Sequence, residues 1–155
     1  MRKWLWLFIP VLFSSCDPNR IFDENRDIAG GQWHFKDHQV FGVDLKDSSQ
    51  YCNIYINLRI QGDYQYNNIY MLFHLQNPEG KTETKRVEMI LANEKGEWTG
   101  SSTGGLHSYQ SLVYKGVKLG KPGTYRFELE QNMRTDVLAG VKNVGVRVEK
   151  GEEQY

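Results

Sequence analysis

The segment Tyr51-Cys-Asn-Ile-Tyr-Ile-Asn-Leu-Arg-Ile60 alternates apolar and polar residues along its whole length. Successive side chains of a β-strand point to opposite faces, so this alternation predicts a strand with one apolar face. That face carries Cys52, Ile54, Ile56, Leu58 and Ile60. An apolar strand face has to be buried against another layer of structure, and this requirement favours a layered β-fold.

Four further segments show the same period of two. Their apolar positions are Ile69, Met71, Phe73 and Leu75; Val87, Met89 and Leu91; Tyr125, Phe127 and Leu129; and Val144, Val146 and Val148. Weaker candidate strands are Gln39–Leu45, Gly96–Gly100 and Ser108–Leu119, and a short helix is considered only near Asn132–Ala139. Turn residues separate these segments. The sequence therefore predicts an all-β protein, an antiparallel β-sandwich of jelly-roll or immunoglobulin-like type with about eight strands.

The composition agrees with one folded domain. Of 155 residues, 39% are hydrophobic and 25% are charged, values that are ordinary for a globular protein. The 19 basic and 19 acidic side chains cancel. A nucleic-acid partner requires a positive surface, so we expect no nucleic acid to bind.

The amino terminus has the order of an export signal followed by a lipid attachment site. Arg2 and Lys3 supply positive charge, Trp4–Phe13 is continuously apolar, and a pair of serines precedes Cys16. This order predicts a signal peptide over residues 1–15. It also resembles the bacterial lipoprotein box, in which the cysteine thiol is diacylglycerated and becomes the first residue after cleavage. Phe13 departs from that pattern, because leucine is usual three positions before the cysteine.

The apolar run is too short to cross a bilayer as a helix, since a span needs about 20 residues. Acyl chains such as palmitate on Cys16 would instead hold the protein at a membrane surface. The alternative is a secreted product with a free thiol in a flexible tail. The predicted organisation is a signal peptide at 1–15, a lipidated cysteine and flexible tether at 16–30, one β-sandwich domain at 31–150 and a tail at 151–155.

The polar residues do not predict catalysis. His34 and His38 would stand ~13 Å apart on a strand, too far to share one metal ion. Glu128 and Glu130 alternate with apolar residues, which favours a solvated strand face over a glycosidase pair. Cys52 belongs to an apolar face and is expected to be a buried, inert thiol. We therefore expect a protein that is not an enzyme, with no catalytic residue, metal site, cofactor or small-molecule substrate.

Aromatic residues are the one excess in the sequence, at 13%. Tyr51, Tyr55 and Tyr70 have the parity opposite to the apolar faces of their strands. They form a candidate binding surface, because exposed rings stack on sugars or anchor protein partners. The alternative is that a second sheet or the tether covers these rings.

A series of short landmarks runs in order through nearly the whole chain. It comprises Cys16-Asp-Pro-Asn-Arg-Ile-Phe-Asp-Glu24, Trp33, Ile56-Asn-Leu-Arg59, Tyr66, Pro78-Glu-Gly80, Gly96-Glu-Trp-Thr-Gly100, Gly123-Thr-Tyr-Arg-Phe127, Glu130-Gln-Asn-Met-Arg134 and Val144-Gly-Val-Arg-Val-Glu-Lys150. With the lipoprotein box in front, this ordered set resembles the gliding-motility lipoprotein family GldH of the Bacteroidota.

The resemblance implies a membrane-anchored, non-enzymatic structural or adaptor component of the gliding machinery, linked to type IX secretion. Only Cys16 carries over as a functional residue. The implied partners are the membrane, through the lipid on Cys16, and other envelope proteins. The implied location is the cell envelope, facing the periplasm from either membrane. The alternative is an envelope glycan-binding module in which aromatic rings stack on polysaccharide.

Overall fold

The computed structural model describes residues 17–47 and 49–153. The predicted signal peptide and Cys16 lie outside these residues. In the described part the strands are β1 (Arg20–Asp27), β2 (Gln32–His34), β3 (Gln39–Leu45), β4 (Tyr51–Gln61), β5 (Asn68–Gln76), β6 (Thr82–Ile90), β7 (Ser101–Thr103), β8 (Leu106–Lys118), β9 (Gly123–Gln131), β10 (Val137–Ala139) and β11 (Val141–Lys150). A 3₁₀ turn spans Ala29–Gly31. This part of the chain contains no apolar helix of membrane-spanning length.

The strands form two large antiparallel sheets and one small one. The five-stranded sheet has the order β1-β11-β4-β8-β7, the four-stranded sheet has the order β3-β9-β5-β6, and β10 pairs with β2. The apolar faces of the two large sheets share one core. Phe73 of the four-stranded sheet and Tyr114 of the five-stranded sheet meet there, with ring centroids 6.0 Å apart. The predicted all-β, antiparallel sandwich is therefore confirmed.

Strand β4 lies in the middle of the five-stranded sheet, paired with β11 on one side and with β8 on the other. Its predicted apolar face is buried, and none of Cys52, Ile54, Ile56, Leu58 and Ile60 is more than 2% exposed. A central strand covered by a second sheet keeps a strict alternation of side chains. This position explains why β4 has the clearest pattern in the sequence.

Strand β1 differs from the flexible tether expected over residues 16–30. Arg20–Asp27 pairs with β11 along its whole length. Its apolar residues, Ile21 and Phe22, are adjacent and give no period-two signal. The strand forms an edge of the sheet, where charged side chains are tolerated on both faces. On the inward side, the guanidinium carbon of Arg26 lies 5.0 Å from the centre of the Phe41 ring.

Two other weak expectations differ from the structure. Residues 132–139 contain no helix, because the buried Gln131 side chain accepts a hydrogen bond from Met133 N and donates one to Thr135 O, and Val137–Ala139 then forms β10. The strand expected at Gly96–Gly100 begins only at Ser101. Asn93 Oδ1 accepts from the backbone N–H groups of Lys95 and Glu97, which stabilises a turn instead.

Candidate functional site

The three tyrosines of the candidate binding surface lie on two different sheets. Tyr51 and Tyr55 belong to β4 of the five-stranded sheet, whereas Tyr70 belongs to β5 of the four-stranded sheet. All three are half-buried. The Arg86 guanidinium carbon lies 4.2 Å from the centre of the Tyr70 ring, and the Tyr51 hydroxyl donates to Glu153. The structure therefore does not bring the three rings into one platform.

A polar groove crosses the outer face of the five-stranded sheet. Its volume is about 360 Å³. The polar side chains that line it on β1, β4, β7, β8 and β11 are Asp23, Asn25, Asn57, Arg59, Ser101, Ser108, Gln110 and Asn143. We call this feature the amide groove, because four of these eight side chains are carboxamides.

Strand register assembles the amide groove from residues that are distant in sequence. One cross-strand row consists of Asn25, Gly145, Asn57 and Gln110. The adjacent row consists of Asp27, Asn143, Arg59, Ser108 and Ser101. Paired residues on neighbouring strands point to the same side of a sheet, so both rows face outward. Gly145 has no side chain, and a Cβ there would collide with Asn25 Oδ1 and the Glu24 carbonyl oxygen.

Hydrogen bonds hold the side chains of the groove in place. Gln110 Nε2 donates to Asn57 Oδ1 over 2.9 Å, and Asn57 Nδ2 donates to Asp23 Oδ1 over 3.1 Å. Arg59 Nε donates to Ser108 Oγ over 3.1 Å. Side chains fixed in this way lose little conformational entropy when a ligand binds.

The sequence contained a signal for this groove that a search for alternating apolar residues does not use. Asparagine is depleted in β-strands, because it competes with the ladder for backbone hydrogen bonds. Even so, Asn25, Asn57 and Asn143 stand inside strands on the same outer face. Side chains that oppose local propensity tend to mark functional positions.

A cluster of carboxylates around Arg147 adjoins the groove through Asp23, and we call it the Arg147 cluster. Arg147 Nη1 donates to Asp23 Oδ2 over 2.8 Å and Nε donates to Glu149 over 2.5 Å. Nη2 donates to Asp17. Burial by itself lowers the pKa of Arg147, but hydrogen bonds to its three carboxylate partners outweigh that effect and raise it. The pKa of Asp17 is lowered, first by the backbone N–H of Asn19 and further by Arg147.

A second polar cluster occupies the outer face of the four-stranded sheet. His38 Nδ1 lies 2.5 Å from Glu128 Oε1, and His74 Nε2 lies 3.4 Å from Glu130 Oε2. The two glutamates share one strand face, as expected, but they are engaged by histidines rather than simply solvated. His74, for which the sequence showed no partner, also contacts Thr84 Oγ1 at 2.8 Å. No group of three or more metal-ligating side chains is suitably placed among the described residues.

Cys52 is buried, and burial raises the pKa of its thiol. We expect Ellman's reagent to detect no reactive thiol in the folded protein in detergent. In guanidinium chloride, which unfolds the protein, we expect it to detect one thiol per chain. The reason is that the acylation expected from the sequence would consume the thiol of Cys16, and only a thiolate attacks the reagent. The Cys52→Ser variant is the control and should yield no equivalent in either condition. Two equivalents from the unfolded wild type would contradict lipidation of Cys16.

The fold and the groove define a β-sandwich domain with an open polar surface site. The sequence model of the GldH lipoprotein family matches residues 20–148. The chain therefore belongs to the GldH lipoprotein family, as the resemblance predicted.

Two curated relatives cover nearly the whole chain. A Christiangramia forsetii protein named gliding motility lipoprotein GldH homolog is 33% identical over 157 residues, covering 96% of this chain and 95% of that protein. Gliding motility lipoprotein GldH of Flavobacterium johnsoniae is 28% identical over 151 residues, covering 93% of each. These names describe lipoproteins of gliding motility rather than enzymes. Membership in this family associates the chain with gliding motility and with a lipid-anchored place in the cell envelope.

One solved structure shows a distant likeness. It is a family 11 carbohydrate-binding module from Clostridium thermocellum in complex with a β-1,3-1,4-mixed-linked tetrasaccharide, with a TM-score of 0.32 and 10% identity. The similarity covers 86% of this chain and 85% of that one. A likeness this weak supports no conclusion about ligand or function.

Proposed function

We propose that this chain is a lipid-anchored, non-enzymatic structural or adaptor component of the gliding machinery, linked to type IX secretion. The lipid on Cys16 attaches it to a membrane of the cell envelope, and the sandwich faces the periplasm. Its partners are other envelope proteins. Family membership supports the association with gliding. The observation that supports the adaptor role is the set of hydrogen bonds that joins the sandwich to Asp17, the residue next to Cys16.

These hydrogen bonds begin at Asp17. Its carboxylate bonds to Arg147 in β11. The next residues also bond to the sandwich or to each other: Arg20 N donates to Asp17 O over 3.3 Å, and Lys150 N donates to Asn19 O over 2.8 Å. Strand β1 then begins at Arg20. The connection between the lipid and the sheet is therefore a bonded turn.

A short connection between the lipid and the domain limits how far the domain can move from the membrane. A flexible tether of fifteen residues would let the domain range over about 20 Å from its lipid. The bonded turn instead holds the Arg147 end of the five-stranded sheet next to the membrane and restricts the orientation of the domain. A restricted orientation suits an adaptor, because its partners then meet one defined surface.

The lipid itself makes attachment durable. Each buried methylene contributes about 0.8 kcal/mol, and a single acyl chain binds a membrane only marginally. A bacterial lipoprotein cysteine carries two or three chains, which together hold the domain at the surface. The proposed attachment therefore needs no transmembrane segment.

Crosslinking in intact cells, followed by mass spectrometry, tests the adaptor role. We expect the wild-type protein to form crosslinks with envelope proteins of gliding or secretion, and we expect the Cys16→Ser variant to lose them. A deletion strain should fail to glide, and the wild-type gene should restore movement. Recovery of chaperones alone, or unimpaired gliding of the deletion strain, would count against the proposal.

The Arg147 cluster should stabilise the domain as well as dock its amino terminus. We expect Arg147→Gln to lower the free energy of unfolding by about 2 kcal/mol, because three neighbouring carboxylates lose a charged hydrogen-bond donor. Arg126→Gln is the matched control. Its contact with Glu128 is more exposed, and removing it should cost less than about 1 kcal/mol. Urea denaturation measures both effects, and equal losses in the two variants would contradict a special role for Arg147.

A further inference from the structure

We propose that the amide groove is a binding site for a neutral oligosaccharide. This inference goes beyond the anchoring and adaptor roles and does not depend on them. It rests on the hydrogen-bonding groups that the groove leaves free, on its charge, and on its shortage of apolar anchors.

Three exposed side chains of the groove keep hydrogen-bonding capacity within the described part of the chain. Asn25 makes no side-chain hydrogen bond there, Arg59 uses only Nε, and Gln110 uses only Nε2. The Asn25 amide, the Arg59 Nη atoms and Gln110 Oε1 therefore remain for a ligand. Together they provide several donors and two carbonyl acceptors. Sugar hydroxyls are both donors and acceptors, so a polyhydroxylated ligand satisfies both kinds of group.

The charge of the groove favours a neutral ligand. At one end, Asp23 shares Arg147 with Asp17 and Glu149, so this end has more negative than positive charge. Arg59 is then the one groove cation without a carboxylate contact among residues 17–47 and 49–153, and Asp27 lies in the same cross-strand row. An acidic polymer requires a group of basic residues. A chain of uncharged sugars does not.

The lining of the groove disfavours a protein partner. Protein interfaces rely on buried aromatic, aliphatic and arginine anchors seated in pockets. The apolar residues at this groove are Leu58 and Tyr109. Leu58 is only 1% exposed, and the Tyr109 hydroxyl is bonded to Leu91 O, so neither offers such an anchor. A ligand recognised through hydrogen bonds fits this lining better.

Tyr55 gives the groove an aromatic border. It lies two residues from Asn57 on the same face of β4, which places it about 7 Å along the strand. An aromatic ring beside a row of amides is suited to one face of a sugar ring. Of the three tyrosines that the sequence singled out, Tyr55 is the one that this inference uses.

Isothermal titration of the full-length protein in detergent tests the inference. The probes are cellotetraose, maltotetraose and mannotetraose, with tetragalacturonate as the acidic comparison. We expect at least one neutral tetrasaccharide to bind with a Kd of about 1 mM or tighter. We expect Arg59→Gln and Gln110→Ala each to weaken binding about three- to tenfold, since each removes hydrogen bonds to the ligand.

Gln76→Ala is the matched control, because Gln76 is an amide on β5 of the other sheet. It should leave the affinity unchanged, and thermal unfolding should show all three variants folded. Three results would overturn the inference: no binding of any neutral tetrasaccharide, tighter binding of tetragalacturonate, or the same affinity in wild type and both groove variants. Each of these results is independent of whether Cys16 carries a lipid.

Discussion

Membrane association is expected to be lost completely when Cys16 is replaced by serine. The diacylglyceryl group is transferred to a cysteine sulfur, where it forms a thioether, and serine has no sulfur, so the variant would reach its compartment without acyl chains. The transfer free energy of those chains, about 0.8 kcal/mol for each methylene, would then be absent. Ultracentrifugation of cell lysates should place the wild type with membranes and the variant in the soluble fraction. Intact-mass measurement should show acyl mass on the wild type alone.

Cys52→Ser provides the matched control for that experiment. It removes the other cysteine, which lies buried in β4. This variant should remain with membranes, because its lipid site is untouched. Unchanged sedimentation of Cys16→Ser, or a wild-type mass without acyl groups, would refute the anchor.

The largest loss of stability is expected from Trp33→Ala. Trp33 is fully buried, and its indole Nε1 donates to Asp37 O over 2.8 Å. It pairs with Leu138 where β2 meets β10, so it belongs to the small sheet as well as to the core. Truncating a buried tryptophan costs about 3–5 kcal/mol. The free energy of unfolding of a small domain is about 5–15 kcal/mol in total, so a large fraction of the Trp33→Ala molecules should unfold under mild conditions.

Trp98→Ala is the comparison for that variant, since Trp98 is only half-buried. Guanidinium denaturation followed by circular dichroism should show a clearly smaller loss than for Trp33→Ala. A midpoint for Trp33→Ala equal to that of the wild type would mean that Trp33 does not support the core.

The sequence predicted the interior of the sandwich well. Strands β3, β4, β5, β9 and β11 each have one face buried in the common core. A buried face selects apolar residues at every second position, and that selection is visible without knowing the partner strand. Gln39–Leu45 was even predicted with the bounds that β3 has.

The sequence did not predict the strands that lack a continuously buried face. Strand β1 has charged residues on both faces because it lies at a sheet edge, and β2, β7 and β10 have three residues each. Such segments are held by pairing with a neighbouring strand rather than by a pattern of their own. Their backbone hydrogen bonds depend on where the rest of the chain places that neighbour.

What the sequence determined by itself was the class of fold, the family and the expected lipid site at Cys16. Alternation, turn residues and ordered landmarks are local properties, so they can be read along the chain. Only the tertiary structure decided that Asp17 bonds to Arg147, that Asn25, Asn57 and Gln110 line one groove, and that Tyr70 lies on the other sheet. The physical reason is register: strand pairing brings together residues more than eighty positions apart, and no local pattern contains that pairing.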